Sequence, residues 1–496
     1  MKNRLPFSAC WWPLLSGALL WLSFPNFSCF PLAWIALVPY LLFLLDKPGW
    51  KRVTAGHFLL AGIYFGGVLY WIPRVLVVYG NLNWPVALLV YLLLILAMGA
   101  FLLPFSVLVG LSANRSPRAA LLSAPGLWVM TELARNYFAM NGFPWALVGY
   151  TQYPYLWFSQ VADLSGIYLV SFLVVLGNCA VAAVIRFRSW RLAVACLLIF
   201  AGANLYGIYR VHFWQPDTKA TLKVALIQPG ISLSEGIDYY ARRYFESLPK
   251  YYRQAVEQDA DWVIFPEAQN PYSYQDFYFR TFWQRQVAIG QAYLLFNSTS
   301  GDENSNRYYN SAFLLGPGGK LVFRYDKTEL VPFGEYVPLG QWLQFVQPLV
   351  QEVSAFSPGQ EIRTGSVNDT AFATLICYES IFPELSGSFV EAGAEVLVNI
   401  TNDSWFGHTA APEQHLQMAA FRAIEYRKPL LRSANTGYSA SVDVYGQIDQ
   451  RLGLFTEGML MTEVAGNSSR SIYSYIGEWL NIAIVAISLV IAGSGP

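Results

Sequence analysis

Over its first two hundred residues the chain alternates long apolar runs with short polar or Pro/Gly-rich breaks. Apolar runs that read as helices fall at 11–24, 31–45, 56–72, 84–112, 119–138, 165–185 and 192–209, with an eighth at 475–491. A helix needs roughly 20 predominantly apolar residues to cross a bilayer. The pattern therefore predicts seven membrane helices and, after a long interval, one more. The first two runs are short, and the last carries Glu478 and Asn481 near its start, so these three depart most from a plain span.

From about residue 220 the period changes. Short β-branched apolar runs at 223–228 (KVALIQ), 261–265 (DWVIF), 292–297 (AYLLFN), 371–376 (AFATLI) and 395–400 (EVLVNI) read as buried strands. Helical stretches at 242–259 and 413–426 alternate with them. The second places Leu416, Ala419, Ala420, Ala423 and Ile424 on one face. A hairpin is expected over 307–323, around Gly316-Pro317-Gly318-Gly319. Strand and helix alternation predicts a layered α/β domain. The expected domains are 1–212 (seven membrane helices), 218–466 (the α/β domain) and 472–493 (the last helix).

Charge sharpens the division. Residues 1–212 hold 16 of the 64 Asp, Glu, Lys and Arg, and the remaining 284 residues hold 48. The formal net charge is zero and no long basic run occurs, so nothing points to nucleic acid. With the N-terminus inside, the inner segments carry ten basic residues: Lys2, Arg4, Lys47, Lys51, Arg52, Arg115, Arg118, Arg186, Arg188 and Arg191. The short outer loops carry two, Arg74 and Arg135. This follows the positive-inside rule, puts 210–472 outside the cytoplasm and returns the C-terminus inside. A basic start before the first apolar run also resembles a signal peptide. No small-x-small cleavage site follows it, so a retained helix is expected. Glu132, Arg135 and Asp163 fall near predicted helix ends, which argues against a transporter.

Candidate chemistry gathers in the polar half. Of five cysteines, Cys10, Cys29, Cys179 and Cys196 lie in or beside apolar runs and read as small core residues. Cys377 is alone in the polar half, which excludes an intradomain disulfide. No CxxC or His/Cys cluster suggests a metal site. Functional residues of layered α/β folds collect where strands end. Glu267 follows the DWVIF run after Pro266. Cys377 follows ATLI directly, with Tyr378 and Glu379 next. Lys327 and Glu335 lie in the loop YDKTELVPFGEYVP, beyond the hairpin. Each alone is an ordinary capping, packing or solvated residue. His408 and His415 invite a Cys–His pairing, but His415 sits among helix residues beside Glu413 and Gln414 and reads as structural.

Together these residues carry a resemblance. PE after a strand, K in Y-x-K-x-x-L-V-P-F-G-E, and C-Y-E after a later strand resemble the nitrilase, or carbon–nitrogen hydrolase, superfamily. RYDKTELVPFGEYVP, ATLICYES, VLVNITNDSWFG and PEQHLQMAAFRAIEYRKPLLRSANTGYSA are similar to the apolipoprotein N-acyltransferases within it. So are NGFPW (141–145) and ADLSGIYLVSFLVVLGN (162–178) in the apolar half. The resemblance implies about eight membrane helices, seven plus one, with an inserted nitrilase-like domain built as an α-β-β-α sandwich. It implies a catalytic triad of Glu267 (proton acceptor and donor), Lys327 (oxyanion and thiolate stabilisation) and Cys377 (nucleophile). Glu335, Tyr378 and Glu379 match supporting positions, and no metal or cofactor is implied. The implied activity moves a fatty acyl chain from a membrane phospholipid to the N-terminal amine of a diacylglyceryl-cysteine apolipoprotein, through a thioester. The implied location is a bacterial inner membrane, with the catalytic domain on the periplasmic side and both termini cytoplasmic.

One departure stands out. Family members often carry a tryptophan in the loop after the first strand of the hydrolase domain, where GISLSEGIDYY aligns Ile237. Phe143, Pro144 and Trp145 are expected in an outer loop, as an interfacial aromatic anchor or as the lining of a lipid path. The competing function is a membrane-tethered amidase or nitrilase acting on a small amide. It shares the triad but needs one anchoring helix rather than eight. A non-enzymatic lipoprotein-binding protein would need no such triad.

Overall fold

The computed structural model describes residues 11–137, 142–231, 236–267, 272–302, 307–336 and 356–494. The chain divides into two units. One comprises 11–73, 83–214 and 475–494, and the other 74–82 and 215–474.

The apolar runs of the first unit are helices, with corrections at their ends. The 31–45 run is two pieces, Phe30–Trp34 and Val38–Leu45. The 56–72 run starts six residues earlier, as Trp50–Val68, and then bends by 55° into Ile72–Val78. The other helices are Trp11–Ser23, Trp84–Arg115, Pro117–Tyr137, Ala162–Phe187, Trp190–His212 and Trp479–Gly493. Among the described residues, Trp84–Arg115, Ala162–Phe187 and Trp190–His212 are long and apolar enough to cross a membrane, and the bent pair would make a fourth. That is fewer than the eight expected, because the remaining helices are short or carry too many polar residues. Exposed apolar side chains suit a lipid-facing surface, with Leu197, Leu198 and Leu205 exposed by 66%, 69% and 67%.

Several buried polar groups inside this unit are matched. Ser165 and Gly166 break the helical path of Ala162–Phe187, and the Asn481 amide donates to the freed Ser165 carbonyl at 2.8 Å. A carbonyl released in an apolar setting would otherwise cost several kcal/mol, of order 2–7. Glu132 accepts from Trp128 Nε1 at 2.8 Å and Val148 N at 2.9 Å, and Asp163 pairs with Arg210 at 3.0 Å. Trp145 is 2% exposed and packs on Trp71 and Phe143. Its burial does not fit an interfacial anchor, one of the two readings the sequence offered.

The second unit holds two six-stranded sheets. The first contains β1 (Thr218–Gln228), β2 (Trp262–Ile264), β3 (Tyr293–Asp302), β4 (Arg307–Leu315), β5 (Leu321–Asp326) and, from the chain end, β12 (Gly458–Asn467). The second contains β6 (Gly365–Val367), β7 (Thr370–Ile376), β8 (Val396–Thr401), β9 (Leu430–Ala434), β10 (Ala440–Val442) and β11 (Ile448–Arg451). Their orders are β12-β1-β2-β3-β4-β5 and β11-β10-β9-β8-β7-β6. Each sheet has three parallel strands in its middle, β1-β2-β3 and β7-β8-β9, flanked by antiparallel neighbours. All five strand runs and the hairpin read from the sequence are present, with ends shifted by up to five residues.

The two sheets pack face to face. Ser433 Oγ on β9 is shared between the carbonyls of Ile227 and Ile264 on β1 and β2, at 2.9 and 3.0 Å. The rings of Trp262 and Phe372 meet at 4.7 Å. Helices Ile237–Glu257 and Phe277–Gly290 cover the outer face of the first sheet through Tyr244, Leu248, Phe279 and Trp283. Helices Pro383–Glu391 and Ala411–Tyr426 lie against β7 and β9 of the second. The result is an α-β-β-α sandwich. Ile237 opens the first of these helices, and positions 232–235 of the loop before it lie outside the described residues.

Candidate active site

Parallel strands end side by side, so residues just past β2, β7 and β8 are brought together. Glu267 follows β2, Cys377 follows β7 and Asn402 follows β8. Lys327 follows β5, with its backbone N–H donating to Asn310 O at 2.8 Å and its carbonyl accepting from Gly359 N at 2.7 Å. The Glu267 carboxylate accepts from Asn310 Nδ2 at 2.9 Å through Oε1 and from Asn402 N at 3.1 Å through Oε2. Lys327 Nζ lies 3.9 Å from Glu267 Oε1. The Cys377 thiol is close enough to Glu267, Lys327 and Thr401 for each to shift its pKa. The three residues expected to form a triad are therefore adjacent.

Cys377 sits on a sharp turn from strand to 3-10 helix, with φ of 54°. A non-glycine residue in this left-handed region costs about 1–3 kcal/mol and persists only when its surroundings impose it. Part of what imposes it is Glu379, which is fully buried. Its Oε1 accepts from Tyr325 Oη, Thr328 N, Thr328 Oγ1 and Glu329 N at 2.7–3.2 Å. Its Oε2 accepts from Ile376 N at 2.7 Å. One carboxylate thus ties the lysine loop to the nucleophile turn. Tyr378 is buried, with its ring edge-on to Phe382 at 5.0 Å.

Glu335 is closer to the lysine than Glu267 is. Lys327 Nζ lies 2.9 Å from both Glu335 oxygens. Asn310 Nδ2 also donates to Glu335 Oε1 at 2.9 Å, so one amide bridges the two carboxylates. Asn310 is itself held by Asn297 Nδ2.

The electrostatics follow from burial and these neighbours. Burial raises the Glu267 pKa; Lys327 pulls it down and Glu335 pushes it up, leaving it above the ordinary carboxylate range. Burial would lower the Lys327 pKa, but Glu335 and Glu267 outweigh that and hold the ammonium charged. Burial, then the charge of Glu267, raise the Cys377 thiol pKa, and Lys327 pulls against them without prevailing. At rest the thiol is neutral, and the carboxyl beside it titrates above its ordinary range. The lysine's expected pull towards a standing thiolate is present but outweighed.

The sequence reading passed over Asn310, Thr401, Asn402, Asp403, Asn399 and Arg432, and took His415 as structural. His415 faces the Cys377 carbonyl at 3.2 Å and Asp403 Oδ1 at 3.1 Å. Its helical neighbours gave no sign of this, although Asn399–Asp403 lies within the conspicuous run VLVNITND. His408 stacks on Phe455. Among the described residues, no group of His, Cys, Asp and Glu is arranged to hold a metal ion.

Residues 16–180 match the family model described as the apolipoprotein N-acyltransferase N-terminal domain, and residues 223–473 match that of carbon-nitrogen hydrolase. The protein from Geobacter metallireducens named apolipoprotein N-acyltransferase is 38% identical over 97% of this chain and 94% of its own length. The chain belongs to the apolipoprotein N-acyltransferase family. A Vibrio cholerae protein of the same name is 29% identical, over 94% of each chain. Among solved structures, a yeast Nit3 of the nitrilase superfamily is similar at 18% identity and a TM-score of 0.40, covering 52% of this chain and 94% of its own. Family membership spans both the apolar and the α/β halves.

Proposed function

We propose that this chain transfers a fatty acyl group from a membrane phospholipid to the N-terminal amine of a diacylglyceryl-cysteine lipoprotein, through a thioester on Cys377. What carries this reading is the meeting of Glu267, Lys327 and Cys377 in a chain whose family match covers both halves. In the first step Glu267 takes the thiol proton as the sulfur attacks the ester carbonyl. The carbonyl π pair becomes an oxyanion, stabilised by the Lys327 ammonium and the Tyr378 backbone N–H. Collapse breaks the carbon–oxygen bond. The lysophospholipid alkoxide takes the proton from Glu267, and the acyl group remains on sulfur.

In the second step the neutral acceptor amine attacks the thioester and gives a proton to Glu267. Collapse breaks the carbon–sulfur bond, the thiolate recovers that proton and the amide leaves. One carboxylate serves as base and then acid, which its raised pKa suits. Glu335 keeps Lys327 charged and, through its own charge, helps raise Glu267. Acyl chains packed on apolar walls would keep water from the thioester.

The same reading makes all eight helical stretches membrane-crossing or membrane-embedded. It places the catalytic unit on the periplasmic side of a bacterial inner membrane, with both termini cytoplasmic. The test is incubation with a phospholipid carrying a labelled acyl chain, with and without a diacylated lipopeptide. A labelled thioester on Cys377 that moves to the peptide amine supports the proposal. Ammonia release from simple amides, with no thioester from phospholipid, would replace it with the amidase reading.

A further inference from the structure

Three side-chain donors converge on one backbone carbonyl, that of Cys377. They are Ser380 Oγ at 3.0 Å, His415 Nε2 at 3.2 Å and Asn399 Nδ2 at 3.3 Å. Behind the imidazole lies a buried charged pair. His415 Nδ1 is 3.1 Å from Asp403 Oδ1 and 3.1 Å from an Arg432 NH2 group, which itself donates to Asp403 Oδ2 at 2.7 Å. His415, Asp403 and Arg432 are each no more than 1% exposed. Arg432 also donates to Asn399 Oδ1, so the pair braces two of the three donors.

The proton on the ring can be assigned from its partners. Burial and the Arg432 charge lower the His415 pKa, against the pull of Asp403, so the imidazole is neutral at neutral pH. A guanidinium is a permanent donor. Of the two groups 3.1 Å from Nδ1, Asp403 Oδ1 already accepts from Thr401 Oγ1, whereas the Arg432 guanidinium can only donate. Nδ1 is therefore the acceptor, and the single ring proton is on Nε2, between Ser380 Oγ at 3.0 Å and the Cys377 carbonyl at 3.2 Å.

That carbonyl shares a planar trans peptide unit with the N–H of Tyr378, so the two point in opposite directions. Fixing the carbonyl towards His415 turns the Tyr378 N–H away from the cluster. We propose that His415, braced by Asp403 and Arg432, is a positioning residue that aims the Tyr378 N–H at the oxyanion formed on Cys377. The inference rests on the acyl-transfer reading. It assigns a task to a buried cluster that the triad does not use, and explains what holds Cys377 at a positive φ.

The experiment compares two reactions of Cys377 in the full-length enzyme: thioester formation from a phospholipid with a labelled acyl chain, and alkylation by iodoacetamide. Both need the thiol to lose its proton, but alkylation forms no oxyanion. His415→Leu lowers thioester formation by about 100-fold, the scale of losing an oxyanion donor, and leaves alkylation within about threefold. His415→Gln, which returns an N–H donor, recovers about tenfold of that loss, and Ser380→Ala shows the same selective pattern more weakly. Unchanged thioester formation in His415→Leu would overturn the inference. So would a parallel fall in both reactions, since His415 would then act on the thiol or on the fold. If His415→Leu does not fold, Ser380→Ala and His415→Gln decide, and a Ser380→Ala enzyme without selective loss overturns it. A wild type that forms no thioester removes the proposed function and this inference with it. A wild type that does, beside an unaffected His415→Leu, removes only the inference.

Discussion

The ammonium of Lys327 lies 2.9 Å from both carboxylate oxygens of Glu335, an ångström nearer than the 3.9 Å to Glu267. The lysine's nearer counter-charge is thus Glu335, not Glu267. That arrangement lets Lys327 remain charged in a buried site while Glu267 is free to change protonation state. Asn310, donating to both carboxylates at 2.9 Å, holds the two at fixed separation.

Glu335→Gln should therefore move the acidic limb of the pH–rate profile. Glu335 raises the Glu267 pKa, so removing its charge lowers it, and Lys327, left without its nearer partner, lowers it further. Glu267 must be ionised to accept the thiol proton. Activity should then rise with pH at a lower pH than in wild type, by about one unit. Rates of thioester formation at a series of pH values check this. A limb that stays in place or moves upwards would sink the account.

Glu379→Gln should loosen the nucleophile turn. The carboxylate accepts five hydrogen bonds from the lysine loop and from Ile376 N. A glutamine would turn an NH2 group towards donors, and at about 1.5–3 kcal/mol per charged hydrogen bond the loss is of order 3 kcal/mol. A lower unfolding temperature should appear together with faster hydrogen exchange at the Thr328 and Glu329 amides. Normal protection at both amides would show that this staple does not hold the loop.

Asp403→Asn should be costly because it leaves the buried Arg432 guanidinium without its anion, a loss of about 3–5 kcal/mol. Burial alone would raise the Asp403 pKa, but Arg432 and His415 hold it well below the usual carboxylate range. A depressed folded pKa contributes stability that is complete above the unfolded value, about pH 4, and is lost as pH falls through the folded one. The stability gap between wild type and Asp403→Asn should be constant from pH 7 to about 5 and narrow below about 4. Thermal unfolding of both proteins across that range measures it. A gap that widens on acidification contradicts the pairing.

Much of this was legible in the sequence, for identifiable reasons. Strands such as ATLI and VLVNI are buried on both faces and read as unbroken apolar runs, so Cys377 and Glu267 could be placed at strand ends. Helix ends were misread where the polar side chains of Lys51 and Arg52 hid the start of Trp50–Val68. The anchor reading of Trp145 missed its burial because the contact with Trp71 depends on a partner 74 positions away. The cluster beneath Cys377 escaped for the same reason. His415, Asp403 and Arg432 come from an α-helix, the start of a 3-10 helix and a strand, and no local period links them.

Glu267→Gln separates two roles that a carboxylate beside a thiol can play. As a base, Glu267 must take the proton of Cys377, and glutamine cannot, so thioester formation should fall by about 100-fold or more. As a charge, Glu267 raises the thiol pKa alongside burial, opposed by Lys327. Glutamine removes that opposition to the lysine. The pH midpoint for iodoacetamide alkylation of Cys377 should then move down, by about one unit, even as acylation collapses. A variant that is inactive yet titrates its thiol at lower pH marks Glu267 as a proton carrier. An unchanged or higher midpoint would mean that the negative charge does not govern the thiol and that the raised pKa has burial as its sole cause.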